Sequence, residues 1–582
     1  MMGKEEIPYG KWTGPFSFIS FIVKALAEER FNFVSLAPKG QRPRYVVESK
    51  GALKVRPQLD MARAIDSALS GLKVFSYSYL RALAWAGLSS PCWGLKNLFS
   101  SIPLTLAIIL FTSLLGATER PNMLLVLSDD HSLPHVGAYG FSNCEKFELT
   151  PNLDRFAKEG MRFNRAYTAS PQCAPSRTSI FAGRSPIGLR ATRFAQPAAK
   201  LTPFFTDILR ESGYWVGIDG RHQHLDGRKR DSDHISKALE EQQMRGDVFE
   251  SRFDHFVQGI GTKGETLDKI PEIFSAILDD IPEAKPFFLY FGFSQPHRKW
   301  GDDHVGIDPA ELQLPPDWPD LPEVRLDYAR YLAEVRDLDT GFGHLMQVLE
   351  DRDLTKDTIV IFMGDNGEAL LRGKGTLYQR GINVPLLIRW SEKIEAGEVS
   401  ESLISGVDLA PTVLDFAELT PDPGMTGKSF KSLLLGQSMS ERSEVYAERG
   451  WHWGPITRTD GFDLSRSITT ADYHYIYNAL PDRSYTPVDM GSGNVAWEAV
   501  KRAKGSKSLT EQHQRFYFQN PRPVFELYDL KKDPFQLNNL VGASQLESTE
   551  TALRQKLDRW MIREGDYLPL PSHAWGIEKK SK

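Results

Sequence analysis

Past position 121 the chain is punctuated by apolar runs that stop abruptly at polar residues. Met123-Leu-Leu-Val-Leu127 ends at Ser128-Asp129-Asp130-His131, and Asp357-Thr-Ile-Val-Ile-Phe-Met363 ends at Gly364-Asp365-Asn366-Gly367-Glu368. Tyr214-Trp-Val-Gly-Ile218 runs into Asp219-Gly-Arg-His-Gln-His-Leu-Asp-Gly227, and Pro286-Phe-Phe-Leu-Tyr-Phe-Gly-Phe293 into Ser294-Gln-Pro-His297. Runs without a polar face predict parallel strands covered on both sides. Between them, Thr150–Gly160 has an early Pro, apolar residues at Leu153, Phe156 and Ala157, and a terminal Gly, the pattern of a short helix. Asp408-Leu-Ala-Pro-Thr-Val-Leu-Asp415 predicts another, so strands and helices alternate as in an α/β domain. After about residue 440 the pattern shifts to short strands at Arg466-Ser-Ile-Thr-Thr, Tyr473-His-Tyr-Ile-Tyr477 and Phe525-Glu-Leu-Tyr-Asp529. The final stretch, Thr549 to Glu564, has helical spacing at Leu553, Leu557 and Met561.

The first hundred residues lack this punctuated character. Near their end Lys96 precedes an uncharged run that includes Ile102 to Ala117, with the parts of a secretory signal peptide at an unusual position. A start codon assigned too early, a genuine extension carrying a membrane anchor, and a buried helix all fit. The first is favoured, because the apolar core is shorter than the roughly 18 to 20 residues of a spanning helix. That reading places the protein outside the cytoplasm, secreted or periplasmic. The residue directly after Ala117 is Thr118 and not Cys, which argues against a lipid anchor. A length of 582 residues accommodates two or more domains. The boundaries implied by the pattern are an extension over 1–117, an α/β domain over 118–435 and an α+β subdomain over 436–582. A net charge of -5 argues against a nucleic-acid partner but leaves room for a local anion pocket. Three cysteines, Cys92, Cys144 and Cys173, make no disulfide framework, and nothing in the chain fixes an oligomeric state.

The strand ends carry the candidate chemistry. Adjacent carboxylates at Asp129 and Asp130 repel unless a cation lies between them, although a helix cap or solvated turn also accommodates such a pair. Open parallel sheets bind ligands beyond the carboxyl ends of their strands. If the first and last runs lie side by side, Asp129, Asp130, Asp365 and Asn366 meet, and four oxygen donors suit Ca²⁺ better than Zn²⁺. Histidines at two further strand ends suit proton transfer near neutrality, although a lone His there is usually structural. Cys173 stands between Pro171-Gln172 and Pro175-Ser176-Arg177, before an apolar helical pattern at Ile180 and Phe181. A helix N-terminus favours anions, yet a lone Cys is more often a small buried residue. A Cys-x5-Arg phosphatase loop is excluded, because Ser179 is the sixth residue after Cys173. Trp451-His452-Trp453 suits either stacking on a sugar ring or core packing.

The string Cys173-Ala-Pro-Ser-Arg177, followed by Gly183-Arg184, resembles the signature of the formylglycine-dependent sulfatases, with Ala182 where the usual pattern has Thr. The resemblance extends over roughly Pro121 to the C-terminus. It implies an alkaline-phosphatase-like α/β fold: a mixed, mostly parallel sheet flanked by helices, closed by a smaller antiparallel sheet plus helix. It also implies oxidation of Cys173 to formylglycine by a maturation enzyme, a Ca²⁺ site at Asp129, Asp130, Asp365 and Asn366 shared with residue 173, and hydrolysis of sulfate monoesters. A sulfated carbohydrate is the favoured substrate. Many sulfatases have Gly-Lys-Trp-His-Leu-Gly where this chain has Gly220-Arg221-His222-Gln223-His224-Leu225-Asp226-Gly227. This looks like a Gly-Arg-x-x-His-Leu-Asp-Gly variant, which gives Arg221 and His224 the usual Lys and His roles and leaves His222 as competitor. Gln295-Pro296-His297 matches the second His motif. Lys374 precedes the Tyr378-x-x-Gly-x-x-Val-Pro385 segment as the family Lys does. Arg177, Arg221 and Lys374 are thus expected to hold anionic charge, His297, alone or with Lys374, to protonate the leaving alcohol, and His224 to accept a proton. A phosphonate or phosphodiester hydrolase of the same superfamily, or an unmatured homologue that binds sulfated glycans, are the alternatives.

Overall fold

The computed structural model describes residues 31–35, 45–49 and 120–571, apart from positions 195, 200–201, 228–232, 258–266, 284, 303, 441, 453–461 and 492. The signal-like segment and Trp453 therefore lie outside the described residues. The chain divides into two units, Met1–Thr118 and Glu119–Lys582. In the first, strands β1 (Phe31–Ser35) and β2 (Tyr45–Ser49) pair antiparallel.

The second unit is built on an eight-stranded sheet. Its strands are β3 (Asn122–Ser128), β4 (Met161–Phe163), β6 (Trp215–Asp219), β7 (His255–Val257), β8 (Phe287–Gly292), β9 (Thr358–Gly364), β10 (Leu386–Arg389) and β11 (Glu398–Ser400), and a short pair joins β5 (Ala166–Tyr167) to β12 (Ile404–Ser405). Spatial order is β11-β4-β10-β9-β3-β8-β6-β7, and only β10 runs against the rest. This is the mixed, mostly parallel sheet expected, and the four apolar runs form its centre, β9-β3-β8-β6.

The continuous apolar runs have a simple cause. In β3, Met123, Leu125 and Leu127 face one core, and Leu124 and Val126 the other. The helices that matter for the core and the site are α1 (Pro151–Glu159), α2 (Cys173–Ala182), α3 (Phe205–Glu211), α4 (Gln223–Asp226), α5 (Ile270–Asp279), α6 (Pro322–Asp351), α7 (Leu409–Phe416) and α8 (Glu547–Glu564). α2, α3 and α7 supply Ile180, Phe181, Phe205, Leu209 and Val413 to the first core, whereas α1, α5 and α6 supply Phe156, Phe274, Leu338 and Phe342 to the second. Burying each such side chain contributes about 1.5–3 kcal/mol, so a polar face on these strands would be costly on either side.

The C-terminal part is a four-stranded antiparallel sheet of β13 (Val445–Arg449), β14 (Ser465–Thr469), β15 (Tyr473–Asn478) and β16 (Phe525–Asp529). The expected stripe Leu553, Leu557 and Met561 on α8, joined by Trp560, packs on Ile468, Tyr475 and Leu527. The opposite face, with Val445, Ala447, Ile476 and Tyr528, closes over Leu377 and Ile382 beside the Lys374 segment. Among the described residues no helix is long and apolar enough to cross a membrane.

Candidate active site

The register of β3 on β9 pairs Ser128 with Gly364, so both strands end at one level. Their next residues are Asp129-Asp130 and Asp365-Asn366, and backbone bonds tie the ends together. The Asp365 amide donates to Ser128 O at 3.1 Å and the His131 amide to Asn366 O at 2.7 Å. The Asp129 amide donates to Gln295 O at 3.0 Å, and the Gly375 amide to Pro171 O at 2.9 Å. These bonds bring the His297 loop to the Asp129 turn and the Lys374 loop to the Cys173 loop. Asp130 and Arg221 hold left-handed backbone angles, φ 66° and 54°, a strained state that clusters at functional sites.

α2 starts at Cys173 itself, seven residues before the apolar pair Ile180-Phe181 that marks it in the sequence. The buried Cys173 Sγ lies 3.2 Å from Asp129 Oδ1 and 3.7 Å from Asp130 Oδ1. A helix N-terminus normally lowers a thiol pKa. Here burial, and then the charge of Asp129, pushes the Cys173 thiol well above its ordinary range. As a cysteine it is therefore a protonated thiol, unsuited to attack.

Every other expected site residue faces this sulfur or its carboxylates. Arg177, fully buried, donates through Nε to Asp365 Oδ2 at 2.8 Å, reaches Asp129 Oδ2 at 3.4 Å through Nη2 and bonds the Tyr290 hydroxyl. Arg221 Nε lies 2.7 Å and His224 Nε2 3.5 Å from Asp129 Oδ2. Lys374 Nζ lies 2.7 Å from Asp130 Oδ1, and His297 Nε2 3.8 Å from Asp130 Oδ2. His222 turns away, with Nδ1 3.5 Å from Asp226 and its ring 4.6 Å from that of Phe256. The fold thus brings His224, and not His222, to the cluster.

The electrostatics are those of dense opposite charges in a dry site. Burial raises the Asp129 carboxyl, and Arg221, His297 and Arg177 overturn it, holding the group well below the usual range. Burial lowers His224 to about 3 against the pull of Asp129, and lowers His297 to about 4 with Lys374 adding to it. Burial opposes the Lys374 charge, but Asp130 and Asp489 keep it protonated. Burial thus works against charge on both imidazoles, while Lys374 keeps its proton.

Ligand atoms of Asp129, Asp130, Cys173 and His297 all lie within 4.8 Å of one another. Asn366 Nδ2 donates to Asp130 Oδ1 at 2.9 Å and to Gly367 O at 2.9 Å, while its buried Oδ1 has no hydrogen-bond partner. Asp365 Oδ1 accepts from the amides of Asp130 and Asn366, at 3.0 and 2.7 Å. An orphaned buried amide oxygen beside three carboxylates has the donor chemistry of a hard-cation site.

Two further residues have no motif to announce them. Asp489 Oδ2 lies 2.8 Å from Lys374 Nζ and 3.8 Å from His297 Nε2. Tyr290, inside an apolar run, turns its hydroxyl to Arg177. The aromatic Trp451-His452 pair divides: His452 is buried and stacked on Phe194, whose ring is 5.9 Å from that of His224, while Arg193 lies over Trp451.

The turn after β6 depends on Gly220. Its φ is +84°, and a Cβ there would lie 2.3 Å from the backbone oxygen of Gly292. Gly220→Ala is expected to lower stability by about 1–3 kcal/mol, read by urea unfolding, and to reduce activity by displacing Arg221 and His224.

The fold and the site define an α/β protein with buried cations around a cluster of acids at the ends of parallel strands. A family profile described as Sulfatase matches residues 121–419, and one described as N-sulphoglucosamine sulphohydrolase, C-terminal, matches residues 367–482. The chain belongs to the sulfatase family, whose members are sulfuric ester hydrolases. An ulvan-active sulfatase of Formosa agariphila is 29% identical over 485 residues, 78% of this chain and 76% of the relative. Human N-sulphoglucosamine sulphohydrolase is 27% identical over 497 residues, 80% of this chain and 94% of the relative. Among solved structures, a complex with D-glucosamine-2-N,6-O-disulfate aligns with TM-score 0.57 at 20% identity, over 78% of this chain and all of the other. A phosphonate monoester hydrolase from Silicibacter pomeroyi aligns with TM-score 0.56 at 18% identity, over 77% of this chain and 96% of the other. These two likenesses concern the fold, the alkaline-phosphatase-like one expected.

Proposed function

We propose that this chain removes sulfate from a sulfated carbohydrate, using a formylglycine made from Cys173 by a maturation enzyme and a Ca²⁺ ion held by Asp129, Asp130, Asp365 and Asn366 together with residue 173. The observation that carries the reading is the seat of Cys173: a buried, protonated thiol at the start of α2, 3.2 Å from a carboxylate and ringed by cations. Such a sulfur is a poor nucleophile, whereas a hydrated aldehyde there offers one hydroxyl to attack sulfur and a second to expel sulfate. The ion, when bound, supplies positive charge that orients sulfate oxygens and acidifies a hydroxyl.

The remaining work falls to side chains. Arg177, Arg221 and Lys374 hold negative charge on the nucleophile and the sulfate oxygens, as preorganised donors do at developing charge. His224 accepts the proton of the second hydroxyl at Nε2. Lys374 and His297 serve the departing alcohol, Lys374 with a proton at Nζ. The relatives named for ulvan and for N-sulphoglucosamine support a carbohydrate as the alcohol half. We place the protein outside the cytoplasm, on the segment over 96–117, and set the catalytic domain at 118–435 and the C-terminal subdomain at 436–582.

The test is mass spectrometry of the peptide bearing residue 173, with assays on a panel of sulfated glycans. An unmodified thiol in active protein from the native host overturns the reading. A chelator is expected to abolish turnover and lower the melting temperature, and added Ca²⁺ to restore both. Side-by-side kinetics on sulfate and phosphonate monoesters separate the two hydrolase activities, with sulfate expected to be preferred.

A further inference from the structure

The Lys374 ammonium lies between two carboxylates from different parts of the chain. Asp130 Oδ1 and Oδ2, at 2.7 and 3.0 Å, come from the end of β3, and Asp489 Oδ2, at 2.8 Å, comes from the segment that follows β15. The Asp489 side chain is 19% exposed, against none for Lys374, so it stands at the mouth of the site with the lysine behind it. Its backbone is left-handed, φ 61°, like that of Asp130 and Arg221. The C-terminal part thus reaches into the cluster with a carboxylate that the ion-binding set does not include.

The two carboxylates have different duties. In the reading given above, which this inference rests on, Asp130 would hold the ion as well as Lys374. Asp489 has no such competitor. His297 Nδ1 faces the Arg298 carbonyl oxygen, which only accepts, so that nitrogen carries a hydrogen, and Nε2 lies 3.8 Å from both Asp130 Oδ2 and Asp489 Oδ2. Lys374 Nζ, with its three hydrogens, lies 2.7 to 3.0 Å from these two carboxylates and is the donor that they hold.

We propose that Asp489 is a positioning residue for leaving-group protonation: its carboxylate fixes the Lys374 ammonium so that one N–H is directed at the ester oxygen. When the S–O bond to the alcohol breaks, its electron pair goes to the ester oxygen and Nζ–H gives that oxygen its proton. Lys374 then recovers a proton from solvent. Without Asp489 the ammonium is held by Asp130 alone and follows it toward the metal side. The C-terminal subdomain would then complete the catalytic geometry, in addition to covering the sheet.

The consequence depends on the alcohol. A sugar hydroxyl leaves poorly as an alkoxide and needs the proton, whereas 4-nitrophenolate leaves without one. The experiment compares matured, Ca²⁺-loaded wild type with Asp489→Asn and Asp489→Glu on 4-nitrophenyl sulfate and on N-acetylglucosamine 6-sulfate, reading kcat and KM separately. For Asp489→Asn the ratio of kcat on the sugar sulfate to kcat on the aryl sulfate is expected to fall about 100-fold, the usual size of a lost acid contribution. Asp489→Glu is expected to recover part of that ratio. An unchanged ratio overturns the proposal, whether both rates fall together, as from a distorted site, or neither falls. A rise in KM for the sugar sulfate with kcat unchanged also overturns it, and assigns Asp489 to binding a sugar hydroxyl. Absence of sulfate release by the wild type from either ester is a different result, and sinks the sulfatase reading itself.

Discussion

Cys173→Ala protein is expected to fold, to bind Ca²⁺ and to release no sulfate. The substitution removes one buried sulfur from a small cluster with Ala174 and Phe194, so its packing cost is at the low end of core truncations, about 1 kcal/mol. It also removes the hydrogen bonds that the thiol donates to Asp129 and Asp130, which adds modestly to that cost. The ion-binding oxygens of Asp129, Asp130, Asp365 and Asn366 remain. What is lost is the attacking group, and deletion of a nucleophile that acts as a unit with its neighbours lowers kcat by about 10⁴-fold or more. Sulfate release from an aryl sulfate, thermal melting and Ca²⁺ titration on the same preparation check the three parts. Full activity in this variant sinks the mechanism, while loss of folding together with activity shows a structural cysteine.

The strands of the catalytic sheet were legible because nothing about them is ambiguous physically. A run such as Met123–Leu127 must be covered on both faces, and the parallel partners β8 and β9 and two helical layers provide that cover. The meeting of Asp129-Asp130 with Asp365-Asn366 followed from the same pattern, since ligands gather where parallel strands end and β3 lies beside β9 in step. The choice between His222 and His224 was not legible. Two positions apart, His222 in the turn before α4 and His224 within α4, they meet different partners, and the packing of His222 on Phe256 and Asp226 leaves His224 to reach Asp129. Asp489 was invisible for another reason. It lies 115 residues beyond Lys374 in an irregular segment, and only the closure of the small antiparallel sheet over the Lys374 loop brings the two together. Tyr290 reads as core within Phe287–Gly292, and most of it is core, with one hydroxyl turned to Arg177.

Arg177 links the stability of the fold to the chemistry of the site, and Arg177→Met is expected to damage both. The guanidinium is fully buried and neutralises Asp365 at 2.8 Å and Asp129 at 3.4 Å. With it gone, Asp129 retains Arg221 at 2.7 Å, but Asp365 retains only the backbone amides of Asp130 and Asn366. A buried carboxylate stripped of its cation costs about 3–5 kcal/mol, and two good amide bonds put this case near the lower figure. Arg177→Lys is not a mild change, because one ammonium cannot span Asp365, Asp129 and the Tyr290 hydroxyl as the planar fork does. A cation among the same carboxylates supplies part of the missing charge. The melting deficit of Arg177→Met relative to wild type should therefore be larger in chelator than in Ca²⁺. Turnover should not recover in step, since charge on the sulfate oxygens and nucleophile still lacks its donor, and kcat/KM is expected to stay down by about 10²–10³-fold. Melting curves of both proteins with and without Ca²⁺, read beside sulfate release, check this. A deficit that is the same in both conditions separates Arg177 from the ion-binding acids and leaves it as a support of the core alone.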